Sequence, residues 1–491
     1  MKYVCCHAHF YQPERADPWS RQVVGDTNWN ECITVECYRP LYEAGLLGKM
    51  SWNIFPSLFN WLAEHHPDIA RGFQEADTEA LRQTSYGCAV ASPYVHMIAP
   101  LATEDEWSWS VSRGIDHFKR VFRRNPRAMW LPETAVSWET MNEASRQGIE
   151  YFILMNHQAF SVRGNDEKGK MILSEEQRIT TDRVYECWME DDRKTKVVFV
   201  NNKIYNDMSA MAYLMYPKGF SDSLLAKWKV VEDPGLLLIA TDGEYYGHHF
   251  GHGVTSIDKG LRNLSYHGAS VVSLEKAIAA MPVAGEIEVR DNTSWTCKHG
   301  IDRWISECGC RNDGRHRDQK WKGPLHELVK RLTKLAHDTW LAQIKDRGIH
   351  QKIAQDVDTA FLEGDETVRK ALVTWMAPGA SGEAQRAVYD LMELRLCAFL
   401  LKNSCIFYFE TLDRDEMRQS MRYAAKVAWI MESLGVEVFS WFLSDLKKIT
   451  CEGFTAQQIF VSSVQDVPEV WCKERGLPSP EGLKNLVFGS K

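Results

Sequence analysis

A closed α/β barrel followed by a helical domain is the architecture that this sequence predicts, and three observations carry the prediction. Up to about residue 280, short apolar runs alternate with longer mixed segments, the pattern of strand–helix units feeding one parallel sheet. There are seven or eight such units, which favours a barrel over an open sheet. Beyond about residue 310 the strand-like runs give way to helical periodicity.

Candidate strands lie at 3–9, 51–54, 84–90, 128–131, 151–155, 196–200, 236–240 and 270–274. Helical patterns fall between several of them, including 57–64 and 104–123. The second of these carries acids in its first turn and arginines in its last, as the helix dipole favours. In the later part, Pro324 opens a helix in which Leu325, Leu328, Val329, Leu332, Leu335 and Ala336 recur at a 3.6-residue period, with Gly348 beyond its end. Another helix runs over 421–434 and stops at Gly435. "APGASGEA", 377–384, reads as a loop between helices. "NSCIFYFETLDRDEMRQ", 403–419, offers aromatic and acidic side chains at a helix entry, and reads equally well as a core segment followed by a capped helix. The expected domains are 1–310, the barrel, and 311–491, all-helical.

Composition narrows the function. Apolar residues make up 44% of the 491 positions and charged residues 25%, an ordinary globular balance at a length that suggests two or three domains. A net charge of −8 without a Lys/Arg block argues against nucleic acid or an anionic membrane as the main partner. No apolar run reaches the ~18 residues of a membrane span. "MKYVCC" enters the first strand too directly for a signal peptide. Thirteen cysteines without framework spacing suit a reducing compartment, so the cytoplasm is the expected location. The 18 tryptophans are the unusual figure, and sugar-binding clefts use flat aromatic faces.

In barrels of this kind the chemistry sits where strands end, and several strand ends here are polar. His7 and His9, two apart, share one face of the first strand. Glu133 follows "MWLP" and Asp242 follows "LLLIAT". Each acid alone has a plain explanation: Glu133 as a helix N-terminal acid after Pro132, Asp242 as an Asx turn with Gly243. Together they form a pair that can converge over one cleft. Glycoside cleavage needs such a pair, one carboxylate at the sugar carbon and one acid for the leaving oxygen.

A rival constellation is a zinc site of His7, His9, Asp242 and two or three of His248, His249 and His252, as in a metal-dependent deacetylase or hydrolase. It leaves Glu133, Trp130 and Trp138 unused. In "SWTCKHGIDRWISECGC", 294–310, Cys297, His299, Cys308 and Cys310 also invite a zinc reading. Their C-x-H and C-x-C spacings depart from the common C-x2-C. The preferred reading is a loop that lays Trp295, His299, Arg303 and Trp304 along the substrate cleft.

These segments together resemble the motifs of glycoside hydrolase family 57, and within it a subgroup with an additional C-terminal helical domain. "HAHFYQPERADPW" is similar to the first motif, built on His-x-His or His-Gln-Pro; Phe10 and Tyr11 stand between His9 and Gln12, where many members have His-Gln directly. "SPYVHMIAPL", 92–101, is similar to the second, with His96 at the position of a substrate-site histidine. "WLPETA" resembles the third, which implies Glu133 as nucleophile, and "TDGEYYGHH" the fourth, which implies Asp242 as acid/base. "SWTCKHGIDRW" fills the place of the fifth, where an aromatic residue borders the sugar.

The resemblance implies a (β/α)7 barrel, a retaining mechanism and no required metal or organic cofactor. It implies an oligo- or polysaccharide substrate, mainly α-linked glucans such as starch, glycogen or maltodextrin. These would be hydrolysed or transferred, as in amylases, 4-α-glucanotransferases and branching enzymes. In that setting His7, His9, Gln12, His96, His249 and His299 are expected around the substrate, with Trp19, Trp130, Trp295 and Trp304 as stacking platforms. A non-catalytic glucan-binding protein on the same barrel is a further alternative, disfavoured by the two intact carboxylates.

Overall fold

The segment Lys2–Phe10 is apolar enough to be buried along nearly its whole length, and as strand β1 it is the member around which the first part of the chain is ordered. The computed structural model describes residues 1–23, 27–164, 169–174, 176–209, 213–312 and 318–488. Two units result: Met1–Gln12 with Thr27–Gly300, and Pro13–Asp26 with Ile301–Lys491. The division at Gly300 lies ten residues before the expected one at 310, and the short segment Pro13–Asp26 folds with the helices.

In the first unit the further strands are β2 (Ser51–Ile54), β3 (Ala89–Val90), β4 (Ala128–Met129), β5 (Tyr151–Met155), β6 (Ala159–Gly164), β7 (Met171–Ile172), β8 (Val184–Trp188), β9 (Lys194–Val200), β10 (Gly235–Asp242), β11 (Ser270–Val271) and β12 (Val283–Val289). The order β10-β1-β2-β3 continues through a parallel bridge between Ala91 and Met129 into β4-β5-β9. Every ladder along that path is parallel, and helices lie in every connection except that from β5 to β9, which runs through β6, β7 and β8. This is a (β/α)7 barrel. Its interior is filled by side chains: Leu236, Leu238 and Ala240 of β10 meet Ile153 and Met155 of β5 and the ring of Trp130 in one cluster, as a barrel of this size requires.

The expected strands at 51–54 and 151–155 have those bounds in the structure. The expected strand at 84–90 shortens to β3, for a local reason. The helix Pro67–Thr84 runs to Thr84 and closes on Ser85 in the left-handed region. The buried carboxylate of Asp77 then accepts hydrogen bonds from the backbone N–H groups of Cys88 and Ala89, both at 2.8 Å, so these groups are satisfied without a ladder. Strands β6, β7, β8 and β12 form a lateral extension of the sheet from β9. Strands β6 and β12 alternate between buried and open positions, β7 is exposed, and Glu186 interrupts β8, so no continuous apolar run announces them.

In the second unit, helices Lys322–Asp346, Gly382–Leu400 and Asp415–Ser433 pack against one another. The expected 421–434 helix lies inside the last of these, and Gly435 follows with a positive φ. "APGASGEA" spans the gap before Gly382–Leu400, whose N-cap is Ser381. That helix is buried almost all round in its second half, charged residues included, which erases the one-sided periodicity that marks a surface helix. Its charges are paired: Arg395 with Asp358 at 3.2 Å, and Glu393 with Arg369 at 2.5 Å and with Lys426. The 403–419 segment is a short helix, Cys405–Tyr408, followed by the start of Asp415–Ser433. Among the described residues, no helix is long and apolar enough to cross a membrane.

At the start of β3, Arg124 donates to Asp77 at 2.8 and 2.9 Å and to Glu275 at 2.9 Å, and both acids are buried. Removing the cation leaves two buried carboxylates unpaired. Arg124→Met is therefore expected to destabilise the fold by about 3–5 kcal/mol in urea denaturation. A loss below about 1 kcal/mol, the size of an exposed pair, would contradict this account of the barrel's lower rim.

Candidate active site

Strand register assembles the site. β1 and β10 pair so that His9 stands opposite Asp242, and β1 and β2 pair so that His9 also stands opposite Asn53. Three polar side chains thus arrive at one level from adjacent strand ends. Asn53 then orders the histidines. Its Oδ1 accepts from His7 Nε2 at 3.1 Å, and its Nδ2 donates to His9 Nδ1 at 2.9 Å and to Ser92 Oγ at 2.9 Å. His9 Nε2 lies 3.3 Å from His96 Nε2. Behind them Trp130, itself wholly buried, stacks on His7 at 4.9 Å and His9 at 5.1 Å. Tyr11 stacks on His96 at 3.8 Å. Burial pushes His7 and His9 down to about 3 and His96 well below its ordinary value, so this wall is neutral at physiological pH.

Opposite the histidines stand three acids. Glu133 sits in the turn Pro132–Thr134 just beyond β4, with φ 57°, a left-handed conformation that a non-glycine residue adopts at a cost of order 1–3 kcal/mol. Thr134 follows with φ 48°. The turn is fastened by residues 293–296: Trp295 N–H donates to the Glu133 carbonyl at 3.0 Å, and Val136 N–H donates to the Thr293 carbonyl at 3.0 Å. Two side-chain donors meet the carboxylate itself, Trp295 Nε1 at 3.1 Å and Thr296 Oγ1 at 2.7 Å, both on Oε2. Such donors replace water around a carboxylate and fix its orientation.

Asp242 has the opposite environment. Desolvation first, then the nearby charges of Glu244 and of Glu133, raise its carboxyl well above the ordinary value. Glu244 is buried behind it and is raised to about 7 by desolvation, even though Tyr38 Oη donates to it at 2.7 Å and the Tyr11 backbone N–H at 3.3 Å. The Gln12 side chain hydrogen-bonds the same carboxylate. Gly243 between the two acids packs on the Phe10 ring, where a Cβ would lie 2.2 Å from ring carbons. The strand end can approach β1 so closely only without a side chain there.

The structure thus brings together Glu133, Asp242, His7, His9, Gln12, His96, Trp130 and Trp295. Trp130 has no open face, and Trp295, stacked on Tyr205 at 5.1 Å, turns its indole N–H to Glu133. His249 is exposed, with its backbone N–H bonded to the Glu244 carbonyl at 3.0 Å. Trp19 and Trp304 belong to the second unit. There Trp19 meets Trp429 and Trp471 edge to face at 5.8 and 6.2 Å, and Trp304 is buried. His248 Nδ1 turns to Glu36 Oε2 at 2.5 Å, and His252 is exposed before the helix Gly253–Tyr266. Among the described residues the rival set of His7, His9, Asp242 and the 248–252 histidines does not converge on a common point. Cys297, His299, Cys308 and Cys310 do, with their ligand atoms all within 4.8 Å of one another.

Asn53, Tyr38, Glu244 and Thr296 join the site without having been singled out in the sequence. Glu244 and Thr296 each stand beside a residue that was, at two and one positions' distance. Asn53 and Tyr38 gain their roles only through register and packing.

An acid whose carboxyl is raised above its ordinary value thus stands near a second carboxyl that has its own donors, both just beyond strands of the barrel. The chain belongs to glycosyl hydrolase family 57, whose model matches residues 24–290. A domain of unknown function (DUF3536) matches residues 318–458. Three solved structures are similar, each at 14% identity. The exo-type maltose-forming amylase of Pyrococcus sp. ST04 covers 94% of this chain and 88% of its own, with TM-score 0.68. The branching enzyme of Thermococcus kodakaraensis covers 94% and 96% at TM-score 0.56. The 4-α-glucanotransferase of Thermococcus litoralis covers 87% of this chain and 58% of its own at TM-score 0.51. At this identity the likeness is one of fold. No curated protein matches the chain in sequence.

The pH dependence follows from the burial of these groups. Glu244, at about 7 against an ordinary 4.5, keeps in the folded chain a proton that the unfolded chain releases. It therefore weakens the fold progressively as pH rises from about 4.5 to 7, by about 3 kcal/mol in full. Glu244→Gln is expected to raise Tm at about pH 8 and to change it little at about pH 4. An equal change at both would contradict the assignment. The neutral histidines act at the other end: the unfolded chain binds protons below about pH 6.5 that His7 and His9 refuse until about 3, so stability falls as pH drops through that window.

Proposed function

We propose that the protein cleaves α-linked glucans by a retaining double displacement, passing the glycosyl unit to water or to an acceptor sugar. The observation that carries this reading is the contrast between two neighbouring carboxyls. Burial and the charges of Glu244 and Glu133 raise the Asp242 carboxyl well above its ordinary value, and Glu133 is oriented by two donors. That division of roles is what glycoside cleavage requires.

In the first step a Glu133 carboxylate oxygen attacks the anomeric carbon. The bond from that carbon to the bridging oxygen breaks, and the Asp242 proton passes to the leaving oxygen. In the second step Asp242, now ionised, takes the proton of a water or a sugar hydroxyl as its oxygen attacks the same carbon and releases Glu133. The tight contacts of Trp295 and Thr296 on one carboxylate oxygen point the attack to the other. His9, with Nδ1 accepting from Asn53, carries its proton on Nε2, 3.3 Å from His96 Nε2, and this neutral pair borders the substrate site without adding positive charge beside the acid. The α-glucan class is supported by the family and by the activities carried in the similar structures' names: an amylase, a branching enzyme and a glucanotransferase.

Glu133→Gln is expected to lower kcat on maltooligosaccharides by at least about 10³-fold while the fold survives. Azide added to Glu133→Ala is expected to restore turnover and to yield a glycosyl azide. Unchanged turnover in Glu133→Gln would refute the assignment. Thr296→Val, which removes one hydrogen bond to a charged group, is expected to reduce kcat about 10- to 100-fold. Chain-length and linkage analysis of the wild-type products identifies the acceptor: longer chains mean transfer, new branch points mean branching, and short products alone mean hydrolysis.

A further inference from the structure

We infer that Cys297, His299, Cys308 and Cys310 bind one zinc ion at a closed structural site, separate from the reacting carboxyls. The four residues lie on one continuous stretch of chain, 297–310, so their convergence is a local property of that loop. Three sulfur atoms and one imidazole nitrogen all lie within 4.8 Å of one another. Around a tetrahedral zinc the ligand atoms stand about 3.8 Å apart, from Zn–S bonds near 2.3 Å, so small side-chain rotations close the set. Soft thiolates with one imidazole select zinc over magnesium or calcium. Four protein ligands fill the coordination sphere and leave no position for water, the mark of a structural rather than a catalytic site.

The loop is shaped for this. Gly309, between two of the ligands, takes φ +83°, which lets Cys308 and Cys310 turn their sulfurs to the same side. The Cys310 backbone N–H points at Cys308 Sγ at 3.4 Å, the kind of N–H···S contact that supports a metal-bound thiolate. On the other side, Gly300 N–H donates to the Cys297 carbonyl at 3.1 Å, and Ser294 Oγ donates to the Gly300 carbonyl at 2.6 Å. These bonds fold 294–300 into a tight turn around two ligands. The cysteine spacing is thus no obstacle: the turns supply the convergence that a C-x2-C knuckle supplies elsewhere.

The site also has a consequence for the reaction. Cys297 directly follows Trp295 and Thr296, whose side chains hold Glu133. An ion that fixes Cys297 and His299 makes the pair a rigid support, so the zinc positions residues that position Glu133. The metal site itself stands independently of the role assigned to Glu133.

The test is elemental analysis of the full-length chain purified without chelator or affinity metal. About one zinc per chain is expected, resistant to dialysis and released with a strong thiol-accessible chelator. Cobalt substitution is expected to give the intense sulfur-to-cobalt charge-transfer absorption of a thiolate-rich site. Cys308→Ser combined with Cys310→Ser is expected to lose the metal and the absorption. Should that variant fail to fold, His299→Ala on its own is expected to weaken zinc retention and shift the cobalt spectrum. Chains that carry no zinc, take up no cobalt after reduction, or retain full zinc in both variants would overturn the proposal. So would recovery of these cysteines as a stable disulfide from protein kept under reducing conditions.

Discussion

Three carboxyl groups meet at the strand ends, where the charges of Glu133 and Glu244 both act on Asp242 and, with burial, raise its proton affinity. Much of the surrounding structure follows from that constraint. Like charges in a low dielectric raise one another's proton affinity, and burial adds to the effect. Donors offset part of that rise, and burial still leaves Glu244 at about 7. Glu244 has Tyr38, the Tyr11 backbone and Gln12, Glu133 has Trp295 and Thr296, and for Asp242 every cause acts to raise its carboxyl. A cationic histidine beside Asp242 would undo this by drawing out its proton. His7, His9 and His96 are instead buried against Trp130, Tyr11 and one another, and this keeps them neutral.

The backbone meets the same constraint. Asp242 ends a strand paired over its whole length with β1, so its position follows from the barrel. Glu133 instead sits in a turn of two consecutive left-handed residues, a conformation that persists only where neighbouring structure holds it. That holding is done by residues 293–296, through backbone bonds to residues 133 and 136 and through the two donors on the carboxylate. The proposed zinc ion would stiffen this loop at the residue next to those donors. The barrel places one acid and a fastened loop places the other.

Much of this was legible in the residues. The apolar runs at 51–54 and 151–155 fix their strands because both faces of a barrel strand are covered, and the polar residues that end β1 and β10 mark the functional rim. Glu133 and Asp242 stand out because a charged side chain directly after a fully apolar run has few structural uses. What could not be read is what depends on pairing register. Asn53 orders two histidines only because it stands opposite His9, and nothing in "SWNIF" says so. Trp295 looks like a sugar platform by type, yet its indole N–H is spent on Glu133. Trp19 follows the first motif closely in sequence, but the chain from Pro13 to Asp26 folds with the helices, where Tyr423 Oη and Gln419 bond the Ala16 carbonyl. Strands β8 and β12 show no apolar run, because Glu186 interrupts β8 and β12 alternates between buried and open positions. The spacing of Cys297, His299, Cys308 and Cys310 departs from C-x2-C, yet their ligand atoms lie within 4.8 Å of one another, with Gly309 turning the chain between the last two.

The central claim is that Glu133 becomes covalently bonded to the sugar while Asp242 manages the proton. The most direct measurement is to trap that species with a fluorinated glucosyl fluoride, which forms the glycosyl-enzyme readily and releases it slowly, and to map the label by peptide mass spectrometry. The account predicts one glycosyl group per chain, on the peptide containing "WLPETA" and at Glu133. A label on Asp242 or Glu244, or turnover with inverted product configuration and no label, would contradict it.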